Sequence, residues 1–130
     1  MGWNDRCDVS VMKGLTLRSV VGAVEGDDRI IFEATDGQRF VMYHSQDCCE
    51  SVSIHTVTGC PDDLIGSPLL EAEEVSGTTL EEALEDVSGY DSYTWTFYKL
   101  GTIRGHVTIA WLGTSNGYYS ESVDFERLND

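Results

Sequence analysis

The 130-residue sequence is poor in cations, in proline and in any recognisable catalytic motif. It contains no P-loop, no GxGxxG, no GxSxG and no HExxH pattern, so the usual sequence arguments for an enzyme are missing. No apolar run approaches the roughly 20 residues of a transmembrane helix. The first ten residues lack the basic and apolar regions of a signal peptide, and we therefore expect a cytoplasmic protein without membrane contact.

The scarcity of cations is uneven along the chain. There are 8 Lys and Arg residues against 23 Asp and Glu, for a formal net charge of −15, and none of the cations lies within residues 40–98, here called the acidic window. Nucleic-acid binding requires cations that neutralise phosphates, so we expect no direct contact with nucleic acid. The acidic window could attract a basic protein surface, or it could simply be solvated.

The 4 cysteines do not form a CxxC pair; they are Cys7, Cys48, Cys49 and Cys60. Side chains of neighbouring residues in a strand leave on opposite faces, so we predict no disulfide between Cys48 and Cys49. The spacing also lacks the paired ligands of a structural zinc site. We predict no metal and no cofactor.

Hydrophobic periodicity predicts a single domain over residues 1–130 that is mostly β. Apolar and polar residues alternate with period two, and glycine-rich turns separate the alternating runs. The predicted strands are residues 15–24, 29–34, 39–44, 50–57, 69–75, 93–100, 106–112 and 118–125. The fold class is α+β with an antiparallel sheet, curled into a half-barrel or a sandwich, and one or two short helices. The helices are predicted within residues 60–70 and 78–87.

The last three predicted strands follow one another directly, so we expect them to pair in sequence order across short turns. Their large apolar residues are predicted to share one core: Trp95, Phe97, Ile109, Trp111, Val123 and Phe125.

Two short polar strings lie where strands end, and there we predict a ligand site. The first is "HSQDCCE" (44–50) and the second is "SNGYYSE" (115–121). Loops presented by a rigid sheet often carry function, and amides, phenols and carboxylates suit a planar, polar small molecule. The predicted ligand-binding residues are His44, Gln46, Asp47, Glu50, Asn116, Tyr118 and Tyr119, with Arg39 and Arg104 as the cations that reach them. No catalytic residue is assigned.

Four strings together resemble a family of small proteins of unknown function from bacteriophages and prophages. They are "YHSQDCCESVSI", "DDLIGSPLLEAEE", "YTWTFYKL" and "VTIAWLGTSNGYYSESVDF", and the similarity spans residues 14–125. Residues 75–92 depart from the family pattern. The resemblance implies a phage context, in which such proteins often bind and neutralise a component of the host, but it implies no established activity.

Three functions remain open from the sequence. The leading hypothesis is a non-enzymatic, phage-encoded accessory protein, acting against host defence, that sequesters a small polar, nucleotide-like ligand or holds a host protein. The second is an acidic decoy that imitates nucleic acid and occupies a basic host protein. The third is a small hydrolase that uses Cys48 or Cys49 with His44. A homo-oligomer is compatible with all three.

Overall fold

The computed structural model describes residues 3–46, 49–76, 92–115 and 120–129. These residues form nine strands in two antiparallel sheets. The strands are β1 (Trp3–Arg6), β2 (Leu17–Val21), β3 (Arg29–Ala34), β4 (Arg39–Tyr43), β5 (Ser51–Thr58), β6 (Glu71–Ser76), β7 (Ser92–Thr102), β8 (Gly105–Ser115) and β9 (Asp124–Asn129). Two 3-10 turns, Val9–Met12 and Pro61–Leu64, complete the described secondary structure. Within those ranges, no helix is long and apolar enough to cross a membrane.

The first sheet has five strands in the order β1-β9-β4-β3-β2. The β3–β4 hairpin turns at Asp36 and Gly37, as the sequence predicts, and Gly37 has a φ of 95°. A residue without a Cβ adopts this backbone conformation readily, which explains the glycine in this turn.

The second sheet has four strands in the order β5-β8-β7-β6. Its centre is the pair of long strands β7 and β8, which stay in register from Ser92↔Ser115 to Thr102↔Gly105. The strand prediction for residues 69–75 is confirmed by β6, and the helical turn predicted within 60–70 is confirmed by the 3-10 turn. The helix predicted over 78–87 lies outside the described residues.

One hydrophobic core lies between the two sheets and makes the fold a sandwich, one of the two architectures predicted. Phe32, Phe40 and Phe125 enter the core from the first sheet, with the rings of Phe40 and Phe125 stacked at a centroid distance of 5.6 Å. Trp111 and Tyr98 enter from the second sheet, and both are fully buried. Such alternate burial along each strand is what packs two sheets face to face.

The predicted pairing of the last three strands is wrong for β9. Strand β9 does not pair with β8; it lies in the first sheet between β1 and β4. The chain therefore crosses from one sheet to the other between β8 and β9, as it also does between β4 and β5. Period-two alternation identifies strands but does not identify their neighbours, because both sheets offer an apolar inner face.

The predicted core also needs a correction at Trp95 and Phe97. Ile109, Trp111, Val123 and Phe125 share the core between the sheets, whereas Trp95 belongs to a separate cluster with Ala110, against which Phe97 packs. The faces of β7 were predicted correctly, but the face that turns inward carries Tyr98 and Leu100. The outward face of the second sheet thus carries a cluster of aromatic side chains, here called the outer aromatic cluster: Tyr93, Trp95 and Phe97.

Replacing Trp111 with alanine should remove the largest side chain of the core. We expect the free energy of unfolding to fall by about 3–5 kcal/mol, as for other large aromatic truncations in cores. Val21→Ala, at a side chain that is 62% exposed, is the matched control and should change stability by no more than about 0.5 kcal/mol. Equal effects of the two substitutions in urea unfolding would contradict the assignment of Trp111 to the core.

Burial of Tyr98 predicts a loss of stability in alkali. Burial is the largest cause that raises the pKa of its phenol, followed by its hydrogen bond of 2.6 Å to the Glu74 carboxylate. A raised pKa in the folded state stabilises the fold fully below the unfolded value near 10, and this contribution is lost as pH rises beyond it. Urea unfolding from pH 8 to 11 should therefore show a decline that is shallower in Tyr98→Phe. An identical decline in both proteins would contradict the link to Tyr98.

Candidate functional site

The two connections that cross between the sheets run side by side at one end of the sandwich. Strand β4 ends where β9 begins, with Tyr43 paired to Asp124, and β5 begins beside the end of β8, with Ser51 paired to Thr114. The described parts of the two connections, residues 44–46 and 49–50 in one and 120–123 in the other, are consequently neighbours. We call the contacts between these two connections the crossover junction.

His44 makes the central contact of the crossover junction. Its Nδ1 lies 2.7 Å from the carbonyl oxygen of Ser122, and its Nε2 lies 2.6 Å from Oε2 of Glu50. A carbonyl can only accept, so Nδ1 carries a proton. Nε2 then either donates to an ionised Glu50 or accepts from a protonated one, and the pair has no net charge in either case.

The exposure of this pair determines what it can do. The side chains of His44 and Glu50 are 3% and 0% exposed. Both imidazole nitrogens are occupied within the protein, so this histidine joins two segments of the chain and does not present a free nitrogen to a ligand. Gln46, at the surface, donates from its amide nitrogen to the Glu50 carbonyl at 2.7 Å and holds the same turn.

Buried carboxylates extend the crossover junction on both sides. Asp124 accepts from the Ser45 amide at 3.0 Å and is paired with Arg6. Glu121 accepts from the Thr94 hydroxyl at 2.8 Å and from the Ser115 hydroxyl. Because buried charges are costly when unpaired, these partners hold both connections in one place.

Gly113 permits the close approach of the second connection to β8. A Cβ built at this position would lie 2.5 Å from the Glu121 carbonyl oxygen and 2.8 Å from its Cβ. Only a residue without a side chain fits under the Glu121 backbone.

The structure brings together only part of the predicted ligand site. His44 bonds to Glu50 and to the Ser122 carbonyl, and Gln46 bonds to the Glu50 carbonyl, so these three lie together. Asp47, Asn116, Tyr118 and Tyr119 lie outside the described residues. Arg39 lies at the opposite end of β4 from Tyr43, four residues or about 13 Å away. Arg104 lies in the hairpin at the far end of β7 and β8, where its guanidinium donates to the Ile65 carbonyl at 3.2 Å.

The cysteines differ from one another in their bonding. Cys49 is disulfide-bonded, whereas Cys7 and Cys60 are not in a disulfide. The predicted absence of a disulfide between Cys48 and Cys49 stays a prediction, because Cys48 lies outside the described residues. No cluster of three or more His, Cys, Asp or Glu suited to a metal ion occurs in the part of the chain that the structure describes.

A pocket lies next to the crossover junction, on the outward face of β5 and β8. Its volume is about 440 Å³, within the range of small-molecule sites. It is lined by Gly26, Ser51, Ser53, Ile54, His55, Leu112 and Thr114. Across the sheet, Leu112 pairs with Trp95 and Thr114 pairs with Tyr93, so the outer aromatic cluster lies beside the pocket.

A β-bulge places His55 at this pocket. Ile54 pairs with Trp111 and Thr56 pairs with Ala110, so His55 is an extra residue on β5. The bulge interrupts the alternation and leaves Val57 packed against the core, although the sequence pattern groups Val57 with Ser53 and His55. The imidazole meets the Trp95 ring edge-on at a centroid distance of 5.1 Å. Bulges often re-aim a side chain at functional sites.

Sequence reasoning missed Ser51, Ser53, His55 and Thr114 as pocket residues. A signal was present, because Ser51, Ser53 and His55 occupy alternate positions of "ESVSIHTV" opposite the buried Val52 and Ile54. A row of small polar residues on the outward face of an edge strand is common, however, and the neighbouring strand that completes the pocket lies about 60 residues along the chain.

Fold and pocket together define a two-sheet antiparallel β-sandwich with a lateral pocket at its crossover end. The chain belongs to the family described as a domain of unknown function, DUF7448, whose pattern matches residues 11–125. No curated protein and no solved structure shows significant similarity to it.

Truncating Glu50 should destabilise the crossover junction strongly. Glu50→Ala leaves the buried Nε2 of His44 without its partner, and we expect a loss of about 3–5 kcal/mol in the free energy of unfolding. Glu50→Gln introduces an amide that can still form a hydrogen bond with Nε2, so its free energy of unfolding should fall by less.

The matched control for that prediction is Glu25→Ala, because Glu25 is exposed. Denaturant unfolding of Glu50→Ala, His44→Ala and the double variant measures the coupling between the two side chains. Strict additivity of the two single losses would show that the pair is not a unit.

Proposed function

We propose that the protein is a non-enzymatic binding protein that sequesters a small polar ligand with a planar group. The observation that carries the proposal is the pocket of about 440 Å³ on the outward face of β5 and β8. Its lining supplies hydroxyls from Ser51, Ser53 and Thr114 and the imidazole of His55, and polar groups of this kind fix the orientation of a ligand.

The outer aromatic cluster is the reason for proposing that the ligand has a planar group. The rings of Trp95 and Phe97 are stacked at a centroid distance of 6.0 Å, and Trp95 is only 2% exposed. Trp95 is therefore enclosed, and its buried indole Nε1 does not reach a ligand. Tyr93 is only partly buried and pairs with the pocket residue Thr114, so its ring can pack against a planar ligand beside the polar lining.

The crossover junction supports the proposal in a second way. Glu50 is anchored to His44 immediately before Ser51, the first pocket residue of β5. The pocket wall therefore begins at a residue whose position is fixed by buried contacts, which is the pre-organisation that a small-ligand site needs. His44, Gln46 and Glu50 are positioning residues in this proposal.

The two alternatives receive less support. In the described part of the acidic window, Glu50 is buried against His44 and Glu74 accepts from the Tyr98 hydroxyl, so these two carboxylates do not contribute to a decoy surface. The cysteine hydrolase would need a thiolate, and Cys49 is disulfide-bonded. A cytoplasmic, phage-encoded role against host defence stays part of the proposal and is supported by the resemblance of the four sequence strings.

Filling the pocket should abolish ligand capture. The purified protein is incubated with the small-molecule fraction of a bacterial lysate, desalted and denatured, and the released compounds are identified by mass spectrometry. We expect at least one compound to be retained by the wild type and lost in Ser53→Trp, whose side chain would occupy the pocket.

Thr108→Trp is the matched control, because Thr108 lies on the same outward face of β8 but beyond the pocket lining. It should retain the compound. Failure of the wild type to retain any compound, or equal retention by Ser53→Trp, would contradict the proposed function.

A further inference from the structure

The electrostatic charge around the pocket restricts the class of ligand more narrowly than the shape of the pocket does. The described residues that line the pocket include no carboxylate and no cation, and His55 is the single titratable side chain among them. The charge of the site is therefore set by the segments that surround it.

The nearest charged segment is the connection between β2 and β3. The Gly26 amide donates to the Ile54 carbonyl at 2.8 Å, and the Ile54 amide donates to the Asp27 carbonyl at 2.8 Å. These two backbone bonds hold the connection along the free edge of β5 and make Gly26 part of the pocket wall. Glu25, Asp27 and Asp28 are exposed on either side of Gly26. Three carboxylates thus lie on the short segment that contributes Gly26 to the pocket, here called the rim.

Arg29, which follows the rim in sequence, and Lys99, on the same outward face, do not neutralise the rim. Arg29 follows Asp28, but its guanidinium lies 6.0 Å from the centroid of the Tyr43 ring, on the outward face of the other sheet. Lys99 shares the outward face with Trp95 but lies four residues further along β7, about 13 Å away. Among the described residues, the surroundings of the pocket are therefore negative, in a chain whose formal net charge is −15.

We infer that the pocket selects a planar heterocycle without negative charge, such as a nucleoside or its cationic analogue, and discriminates against phosphorylated nucleotides. This inference rests on the proposed function and narrows its nucleotide-like ligand. A phosphate that extends from the pocket towards Gly26 approaches three carboxylates and meets no guanidinium or ammonium group. Phosphate recognition in proteins relies on such cations or on helix N-termini, and neither is present in the described surroundings of the pocket.

The test compares matched pairs of probes. The four ribonucleosides and their 5′-monophosphates are titrated at low salt into the ¹⁵N-labelled protein, and binding is followed through the amide signals of Ser53, His55 and Thr114. We expect at least one nucleoside to shift these signals and to bind roughly threefold or more tightly than its monophosphate, because several rim carboxylates repel the phosphate.

Removing the charge of the rim should reduce the difference in affinity between the nucleoside and its monophosphate. The double substitution Asp27→Asn and Asp28→Asn should bring the affinity for the monophosphate closer to that for the nucleoside and leave the nucleoside unchanged. Asp62→Asn, an exposed carboxylate in the 3-10 turn at the other end of the sandwich, is the control and should not alter the ratio.

The outcomes separate the two claims. A monophosphate that binds at these signals as tightly as its nucleoside overturns the inference but leaves a small-ligand pocket. Absence of any shift at Ser53, His55 and Thr114 with all eight probes overturns both the inference and the nucleotide-like form of the proposed function. An unchanged ratio in the Asp27 and Asp28 variant overturns the electrostatic explanation.

Discussion

The bond from His44 to the Ser122 carbonyl joins the two places where the chain passes from one sheet to the other. The first sheet receives β9 from the end of the chain, so it is complete only after both connections have crossed. Glu50 holds the second nitrogen of the imidazole, and this fixes the residue immediately before β5. The backbone ladder with β8 holds β5 along its length, and this buried contact fixes the end at which the pocket wall begins.

The aromatic side chains on the outward face of the second sheet are there because the other face of β7 is buried in the core. Two faces of β7 are apolar enough to be buried, one with Tyr98 and Leu100 and one with Trp95 and Phe97. The first face enters the core because Tyr98 reaches Glu74 with its hydroxyl, which satisfies its polar atom. The second face, with Trp95 and Phe97, points away from the core. Its aromatic rings therefore lie near the pocket residues Ser53 and His55.

Much of this fold could be predicted from local patterns, and the failures share a cause. Strand β3 matches its predicted residues 29–34, and the Asp36–Gly37 turn follows from the backbone preference of glycine. The partner of β9 could not be predicted, because alternation is the same in either sheet. The position of His55 could not be predicted, because it lies at a β-bulge that shifts the strand register by one residue and has no signature in the sequence. For the site, the pattern placed His44 and Glu50 at a strand end, but it did not predict that both side chains are buried and bonded to each other.

The most direct test of this account is the state of the His44 ring in solution. In ¹⁵N-resolved NMR spectra of the imidazoles, the Nδ1 proton of His44 should be visible and slow to exchange with water, because it is bonded to Ser122 and shielded from solvent. His106, which is exposed, should show a ring that exchanges rapidly. A His44 ring that exchanges as fast as that of His106 would contradict the crossover junction and the arrangement of the pocket that depends on it.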